Sequence, residues 1–456
     1  MLVDKKTQRL LIANRGEIAI RILRACKQMG IEVVAAYTAV DKTARYLDLA
    51  DRKFCIGERD YLNIPALISA AQITGCTLVH PGYGFLSESE AFARAVTSAG
   101  IGFVGPTAEH IEIMGDKAVA RATVAKLVLK VVEGSKGALS ANEVLGLVAD
   151  IGLPICIKAS FGGGGKGMRV VQNIAEVGQA ISEAQQEALV SFGESAFYVE
   201  KYIPGARHIE VQVLGDGQGN VVHLGTRECS IQRRYQKLIE EAPAANIESE
   251  LLDKLASQCV EVMSTIKYQN AGTLEFLYSA GEFYFIEMNT RLQVEHPVTE
   301  LITGRDIVEA QLQIALNQKL PFSQSEIEFT GSAIECRINA ETDSFLPSPG
   351  LVSGYTPPGG PGIRVDSHLF SGYTVPHQYD SLIAKVIAYG LNRETARRRL
   401  CGAMSEMVVD GIETNRKLLY RILVAQGFID QDISTEFVAN LLADEMNSNR
   451  DSGENR

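Results

Sequence analysis

The residue types best suited to chemistry lie in a polar run from position 287 to 295, Glu-Met-Asn-Thr-Arg-Leu-Gln-Val-Glu. If this segment is extended, alternate residues share one face, because successive side chains of a strand point to opposite sides. The residues on that face are Glu287, Asn289, Arg291, Gln293 and Glu295. A polar row that follows the apolar segment 283–286 predicts a binding or catalytic surface. A surface ladder of salt bridges is the alternative.

A further acidic residue, Glu275, stands between apolar neighbours in another predicted strand, 272–278. The turn residues 279–281 predict a hairpin that pairs this strand with the next one. Glu275, Glu287 and Asn289 would then offer two carboxylates and an amide oxygen, the hard ligands that suit Mg²⁺ bridging nucleotide phosphates. Arg291 and Glu295 would lie beyond them, where an anionic substrate and a general base are needed.

A glycine-rich segment, 162–167, contains Lys166 and matches G-x-G-x-x-G, which alone is a weak signal. Strands are predicted on both sides of it, so the segment is expected to be a hairpin tip rather than a strand-to-helix turn. It is not a Walker A loop, because Gly167 follows Lys166 where Ser or Thr is required. With Lys158 on the incoming strand, it predicts a lid that closes on ATP phosphates. A surface hairpin is the alternative.

Four other features leave their interpretation open. The predicted strand 333–341 places Glu335, Arg337, Asn339 and Glu341 on one face, as a structural or a functional set. Arg233, Arg234 and Lys237 form a basic cluster that could be an anion site or a solvated loop. His80 is interpreted as a turn or core histidine, and Cys229 as a buried thiol.

The elements that must position these residues alternate between strands and helices along most of the chain. Residues 1–115 predict a parallel α/β layer. Its first turn, 14–17, has one glycine where a dinucleotide fingerprint has three, so a structural domain is favoured over a NAD site. The predicted organisation is an N-terminal domain over 1–115, a second over 116–330 with the lid at about 131–203, a third over 331–446, and a disordered tail over 447–456.

Composition excludes several classes of protein. The 456 residues are 46% hydrophobic, enough for several cores, and the net charge of −11 disfavours nucleic-acid binding. Apolar runs are shorter than the roughly 20 residues that span a bilayer, and no signal peptide is recognised, so no membrane role is expected. The eight cysteines are scattered without a Cys-x-x-Cys pair, which predicts buried thiols in a cytoplasmic enzyme.

Taken in order, these motifs make the chain similar to the biotin carboxylases, the ATP-grasp components of biotin-dependent carboxylases, over residues 8 to 445. The matching segments are 12–19, 80–88, 114–117, 157–160, 162–167, 232–234, 285–299, 335–341 and 345–350. The resemblance implies a mixed α/β and α+β fold, with a Rossmann-like N-domain, an ATP-grasp domain with a glycine-rich lid, and a C-terminal α/β domain. It also implies that ATP phosphorylates bicarbonate to carboxyphosphate, which delivers CO₂ to N1′ of biotin on a carrier protein.

The resemblance assigns roles residue by residue. ATP would contact Lys117, Lys158, Gly164, Gly165, Glu200, Lys201, Tyr202, Ile203, His208, Gln232 and Tyr235. Two Mg²⁺ or Mn²⁺ ions would be held by Glu275, Glu287 and Asn289. Bicarbonate would be held by Lys237, Arg291, Gln293 and the Val294 amide. Glu295 would remove its proton, and Arg337 would stabilise the biotin enolate.

The resemblance also implies partners: a biotin carboxyl carrier protein, carboxyltransferase subunits and a second copy in a homodimer. Acetyl-CoA carboxylase, in fatty acid synthesis, is the favoured pathway, and another acyl-CoA or pyruvate carboxylase is the alternative. Two departures from the family pattern are Phe161, in place of a glycine beside the lid, and Tyr235, in place of a frequent histidine. The rival hypotheses are another ATP-grasp ligase, which joins an acyl phosphate to an amine, and a regulatory subunit without catalysis.

Overall fold

The N-terminal region is a parallel α/β layer, as its alternating pattern predicts. The structure, a computed structural model, describes residues 8–58, 60–135, 139, 141–159, 168–192 and 197–444. Five parallel strands lie in the order β3-β2-β1-β4-β5. The elements are β1 Arg9–Ile12, α1 Gly16–Gln28, β2 Glu32–Tyr37, α2 Tyr46–Leu49, β3 Arg52–Cys55, α3 Ile64–Thr74, β4 Leu78–His80, α4 Glu90–Ser98, β5 Gly102–Phe103 and α5 Ala108–Gly115.

Both faces of this sheet are buried, which explains its continuous apolar strands. In β1, Leu10 and Ile12 enter one hydrophobic cluster and Leu11 enters another on the opposite face. The loop after β1 is tied to the loop after β4, because Asn14 Nδ2 donates to the carbonyls of Pro81 at 2.6 Å and Tyr83 at 2.7 Å. These loops lie at the carboxyl ends of parallel strands, where α/β sheets commonly hold ligands.

The central region begins with two helices and a small sheet in the order β7-β6-β8. β6 and β7 pair antiparallel, with Ile155 opposite Val171, so the predicted strands that flank the glycine-rich segment are confirmed. The segment itself, with Phe161, Gly164 and Gly165, lies outside the described residues. The elements here are α6 Lys117–Ala125, α7 Ala141–Ile151, β6 Ile155–Ala159, β7 Arg169–Val171, α8 Val177–Phe192 and β8 Phe197–Lys201.

An eight-stranded sheet then runs through the rest of the molecule in the order β13-β12-β9-β10-β11-β14-β19-β17. Its first part comprises β9 Arg207–Asp216, β10 Val221–Arg233, β11 Gln236–Ala242, α9 Ser249–Thr265, β12 Gln269–Ser279, β13 Glu282–Asn289, α10 His296–Thr303 and α11 Ile307–Asn317. The predicted hairpin is confirmed, since β12 and β13 pair antiparallel with Glu275 opposite Glu287.

The C-terminal region continues the same sheet, because β14 pairs with β11. Its elements are β14 Ser332–Asn339, β15 Gly350–Leu351, β16 Gly354–Thr356, β17 Ile363–Ser367, β18 Thr374–Val375, β19 Leu382–Gly390, α12 Arg393–Glu406, β20 Val408–Asp410, α13 Arg416–Val424, α14 Gln426–Ile429 and a helix over 437–444. A hydrophobic cluster packs α12 and α13 against β14 and β19. The second and third predicted regions therefore share one sheet.

The cysteines are all free thiols, and six of the eight are buried as predicted. Cys55 is exposed and Cys401 is only half-buried, so the prediction of burial is wrong for these two. None of the described helices is both long and apolar enough to cross a membrane.

The pairing of β11 with β14 brings two fully buried carboxyl groups together, Glu240 opposite Glu335. Among the described residues, Glu240 Oε2 and both carboxyl oxygens of Glu335 have no hydrogen-bond partner. Burial raises the pKa of Glu240 to about 7, although the Arg337 guanidinium acts in the opposite direction. Burial also raises the pKa of Glu335 well above its usual range.

We expect Glu240→Gln to change how stability depends on pH. A carboxyl whose pKa is higher in the folded chain keeps its proton while the unfolded chain loses it, so stability falls as pH rises from about 4.5 to 7. The amide does not titrate, so wild type should lose up to about 3 kcal/mol relative to the variant over this window. Denaturation from pH 5 to 8 measures the difference, with the exposed Glu250→Gln as the control. A constant difference between wild type and Glu240→Gln would contradict this account.

Candidate active site

A cleft of about 1330 Å³ lies between the three regions and collects almost all of the predicted site residues. The predicted residues that line it are Lys117, Lys158, Glu200, Lys201, Tyr202, Ile203, His208, Gln232, Tyr235, Lys237, Glu275, Glu287, Asn289, Arg291, Gln293, Val294 and Arg337. Glu295 is fully buried behind the wall, in contact with residues that line it. Gly164 and Gly165 are outside the described residues.

Two lysines stand at the end of the cleft nearest the small sheet. Lys117, at the start of α6, places Nζ 2.9 Å from Glu287 Oε2. Lys158, on β6, pairs with Glu200, whose carboxylate also binds Arg121. These carboxylates raise the pKa of both lysines although burial opposes it, so both stay charged. Two fixed ammonium groups in a half-buried cleft can bind phosphates as point charges.

The hairpin of β12 and β13 supplies the acidic wall. Glu275 Oε1 accepts hydrogen bonds from Lys237 Nζ at 2.8 Å, Asn289 Nδ2 at 2.6 Å and Gln293 Nε2 at 3.0 Å. Its Oε2 lies 3.0 Å from His208 Nε2. Burial alone would raise the pKa of Glu275, but Lys237 and His208 hold it well below its usual range. This carboxylate is therefore ionised at neutral pH.

The donor set of this wall fits a hard divalent cation. Glu275 and Glu287 face each other across two strands, and Asn289 adds an amide oxygen that now accepts from Arg291 Nη2 at 2.7 Å. Carboxylate and amide oxygens are the ligands of Mg²⁺ and Mn²⁺ in proteins. One ligand atom each of His208, Glu210 and Glu275 also lies within 4.8 Å of the others, but the ammonium of Lys237 already compensates that group.

The ammonium of Lys237 contacts three carboxylates of the site. It binds Glu210, lies 2.8 Å from Glu275 Oε1 and lies 2.9 Å from Glu295 Oε1. On the far side, Arg337 Nη2 lies 2.9 Å from Glu295 Oε2, and Arg337 Nε binds Glu240. Burial acts to raise the pKa of Glu295, but Lys237 and Arg337 hold it well below its usual range. A fixed, ionised carboxylate between two cations can accept a proton from a bound acid.

The polar run 287–295 is not one extended strand. β13 ends at Asn289, the chain turns through 290–295, and α10 begins at His296. The predicted residues still meet, because the turn folds them over the hairpin: Arg291 Nη1 donates to Gln293 Oε1 at 2.8 Å. An extended segment would carry Glu295 roughly 26 Å from Glu287 at ~3.3 Å per residue, so the turn is what brings the groups together.

Sequence reasoning missed several residues of the site. Glu210 and Arg227 are fully buried beneath Lys237, and Arg227 Nε donates to Glu210 Oε2 at 2.9 Å. The signal for Glu210 was present, since His208, Glu210 and Gln212 alternate with apolar residues in β9 just as the recognised run does. Glu88, whose Oε2 lies 3.0 Å from Arg291 Nε, is 203 positions away and gave no such signal.

Two interpretations of single residues are confirmed. His80 is fully buried and its Nδ1 accepts from the Gly82 N–H at 3.0 Å, while burial lowers the pKa of its ring to about 3. It is a core histidine of a turn. Cys229 is a buried thiol whose pKa is raised by burial, with Sγ 4.0 Å from Glu295 Oε1.

Comparisons with known proteins agree with this architecture. Residues 6–111 match the family model of the biotin carboxylase N-terminal domain, 116–323 that of the carbamoyl-phosphate synthase L chain ATP binding domain, and 335–440 that of the biotin carboxylase C-terminal domain. The biotin carboxylase of Pseudomonas aeruginosa is 51% identical over 418 residues, or 90% of this chain and 93% of that protein. Biotin carboxylase 1 of Bacillus subtilis is 47% identical over 440 residues, or 94% and 98%.

Solved structures give the same result. A Campylobacter jejuni biotin carboxylase–β-γ-ATP complex superposes with a TM-score of 0.93 at 43% identity, over 95% of this chain and 98% of that one. The biotin carboxylase domain dimer of Hydrogenobacter thermophilus 2-oxoglutarate carboxylase, in complex with MgADP, ADP and bicarbonate, has a TM-score of 0.93 at 44% identity, over 95% and 97%. The chain therefore belongs to the biotin carboxylase family and is an ATP-dependent ligase that carboxylates biotin.

Proposed function

We propose that this chain is the biotin carboxylase subunit of an acetyl-CoA carboxylase and that Glu295 is the base that activates bicarbonate. The observation that supports the base is its position: a fully buried carboxylate held between Lys237 and Arg337, directly behind the cleft wall. Bicarbonate is a poor nucleophile until it loses its proton. A base fixed within hydrogen-bond reach of the bound anion removes that obstacle.

The cleft divides the reaction between two groups of residues. Lys117 and Lys158 bind the phosphates of ATP, while the Tyr202–Ile203 segment and Tyr235 line the pocket for its base and sugar. Lys237, Arg291 and the Val294 amide hold bicarbonate beside them. Its proton passes to Glu295, its oxygen attacks the γ-phosphorus, ADP leaves, and carboxyphosphate remains.

The low pKa of Glu295 is compatible with this role. Lys237 supplies much of the charge that keeps Glu295 ionised, and an anion that binds Lys237 shares that charge. Bound bicarbonate therefore raises the basicity of the group that must accept its proton. Glu275, Glu287 and Asn289 would hold Mg²⁺, which would neutralise negative charge on the phosphates of ATP.

Biotin carboxylation is the second step. Carboxyphosphate breaks down into CO₂ and phosphate, the released phosphate takes the proton of biotin N1′, and the deprotonated nitrogen attacks CO₂ to form the new C–N bond. The developing negative charge lies on the ureido oxygen, where the Arg337 guanidinium is available from the cleft wall. Arg337 is braced by Glu240 and Glu295, so its orientation is fixed before biotin arrives.

The reaction is tested by ATP hydrolysis. We expect ADP release by the purified chain to require bicarbonate and Mg²⁺ and to rise when free biotin is added, because biotin consumes carboxyphosphate productively. A coupled ADP assay with each component omitted in turn measures this. Hydrolysis indifferent to bicarbonate and biotin would instead support another ATP-grasp ligase, and no hydrolysis at all would support a regulatory subunit.

Glu295→Gln tests the base. The amide preserves shape and part of the hydrogen bonding but cannot accept a proton, so kcat should fall at least about 10²-fold while the KM for ATP stays nearly constant. The matched control is Glu228→Gln, a fully buried glutamate of the same sheet that pairs with Arg207 and does not line the cleft. It should alter thermal stability but leave kcat within a few-fold. If Glu295→Gln and wild type had a similar kcat, Glu295 would not be the base.

The names of the bacterial and chloroplast relatives support the proposed pathway: proteins named biotin carboxylase from both sources are 44% to 51% identical to the chain. The biotin carboxylase subunit of a pyruvate carboxylase, with a TM-score of 0.81, favours the alternative pathway. The partners we propose are a biotinylated carrier protein, a carboxyltransferase and a second copy of the chain. Purification of the tagged protein from its own cells, followed by assays with acetyl-CoA, propionyl-CoA and pyruvate, should yield malonyl-CoA. Carboxylation of pyruvate alone would contradict the assignment to acetyl-CoA carboxylase.

A further inference from the structure

The turn between β13 and α10 has two consecutive peptide carbonyls bound from the side away from the cleft. The Gln293 carbonyl oxygen accepts from His296 Nδ1 at 2.7 Å, so the hydrogen of the neutral ring is on that nitrogen. The Val294 carbonyl oxygen accepts from Lys385 Nζ at 2.7 Å. In a trans peptide the N–H lies opposite the C=O, so these two bonds also set the directions of the Val294 and Glu295 N–H groups.

Of these two N–H groups, that of Val294 belongs to a residue that lines the cleft, whereas Glu295 is fully buried behind it. Within the described part of the chain, neither donates to a protein acceptor. Residues 293–296 form a β-turn: the His296 N–H donates to the Gln293 carbonyl at 3.4 Å, and Glu295 in the third position has φ −80° and ψ 9°. Val294 lines the cleft together with Lys237 and Arg291. An unpaired N–H beside two cations can bind an anionic oxygen.

Lys385 contacts both the Val294 carbonyl and a carboxylate of the N-terminal layer. Its side chain is fully buried on β19, with Arg337 as its register partner on β14. Its ammonium lies 3.2 Å from Glu17 Oε1, which also accepts from the Tyr83 hydroxyl. A single charge therefore joins α1 of the N-terminal layer, β19 of the C-terminal region and the turn of the central region.

The charges that face Lys385 are arranged to keep it in place. Glu17, Glu335 and Asp366 attract the ammonium, while Arg364 repels it. Burying a charge this deeply is costly unless the charge is paired and hydrogen-bonded. The ammonium of Lys385 lies 2.7 Å from the Val294 carbonyl oxygen and 3.2 Å from the Glu17 carboxylate. The Val294 carbonyl is therefore the closer of the two partners of this ammonium.

We propose that Lys385 and His296 are positioning residues for bicarbonate: they fix the two peptide planes on either side of Val294 so that its N–H faces the anion. The inference rests on the proposed function, because it concerns the anion that reaction consumes. Neither residue touches the substrate. Each acts through a carbonyl group on the opposite side of the peptide.

The first test removes the Lys385 ammonium. Lys385→Met keeps the length of the side chain, and the double variant Lys385→Met/Glu17→Gln removes the carboxylate charge that would otherwise be left unpaired. Loss of a hydrogen bond to a charged group should raise the KM for bicarbonate about tenfold or more. The affinity for a non-hydrolysable ATP analogue, measured by calorimetry, should stay within about twofold. An unchanged KM for bicarbonate in a folded double variant overturns the role of Lys385.

The second test uses two amides in place of His296. The Asn amide nitrogen reaches the position of Nδ1, whereas the Gln amide nitrogen reaches the position of Nε2. Because the Gln293 carbonyl is bound by Nδ1, His296→Asn should keep the KM for bicarbonate within about threefold of wild type, and His296→Gln should raise it about tenfold. Thermal unfolding reports any general loss of stability. The same bicarbonate KM in both variants overturns the role of His296.

The wild-type assay distinguishes failure of the proposed function from failure of the positioning role. If wild type shows no bicarbonate-dependent ATP hydrolysis, the proposed function is wrong. If wild type is active and both sets of variants keep its KM for bicarbonate, the function stands and the positioning role is wrong.

Discussion

The site depends on one interaction, the contact of the Lys237 ammonium with three buried carboxylates. Glu210 comes from β9, Glu275 from β12 and Glu295 from the turn before α10. Without the ammonium these carboxylates would repel one another in a medium that screens charge poorly. The positions of two strands and a helix are thus electrostatically linked. In the mechanism that we propose, an incoming bicarbonate shares the same ammonium.

The eight-stranded sheet makes this arrangement rigid. Arg227, fully buried in β10, donates to Glu210, to Gln212 at 2.8 Å, to Thr299 at 3.1 Å and to Thr273 at 3.0 Å. It ties the carboxylate behind Lys237 to two neighbouring strands and to α10. Groups carried on paired strands keep their spacing better than groups on loops, and this reaction needs a base, a cation and a nucleophile within one hydrogen-bond length of each other. The antiparallel sheet, which joins two of the regions, therefore carries most of the groups to which we assign catalytic roles.

Much of the fold followed from local patterns. The parallel layer was predicted because apolar strands and helices alternate along residues 1–115. The hairpin of β12 and β13 and the strand β14 were predicted because a half-buried strand shows its two-residue period directly in the order of polar and apolar residues. The same period identified Glu275, Glu287, Asn289 and Arg337. The period failed after Asn289, where polar and apolar residues continue to alternate although the chain turns. In a turn, successive side chains do not point to opposite faces, so the alternation no longer shows which residues lie together. The period was also present in β9 and passed unrecognised, so Glu210 was missed.

The amino-acid sequence alone determined which elements form, which of their faces are polar and, through its ordered motifs, the family to which the chain belongs. Tertiary structure decided which of those faces meet. Glu88 reaches Arg291, Glu17 reaches Lys385 and Arg121 reaches Glu200 across long separations in the chain. No local pattern in the sequence identifies such pairs, because each charged residue has the sequence context of an ordinary surface charge. Only the tertiary structure shows that both charges are buried and therefore need a partner. The direction of the peptides at 293–295 belongs to the same class, since it is set by a lysine 91 positions away.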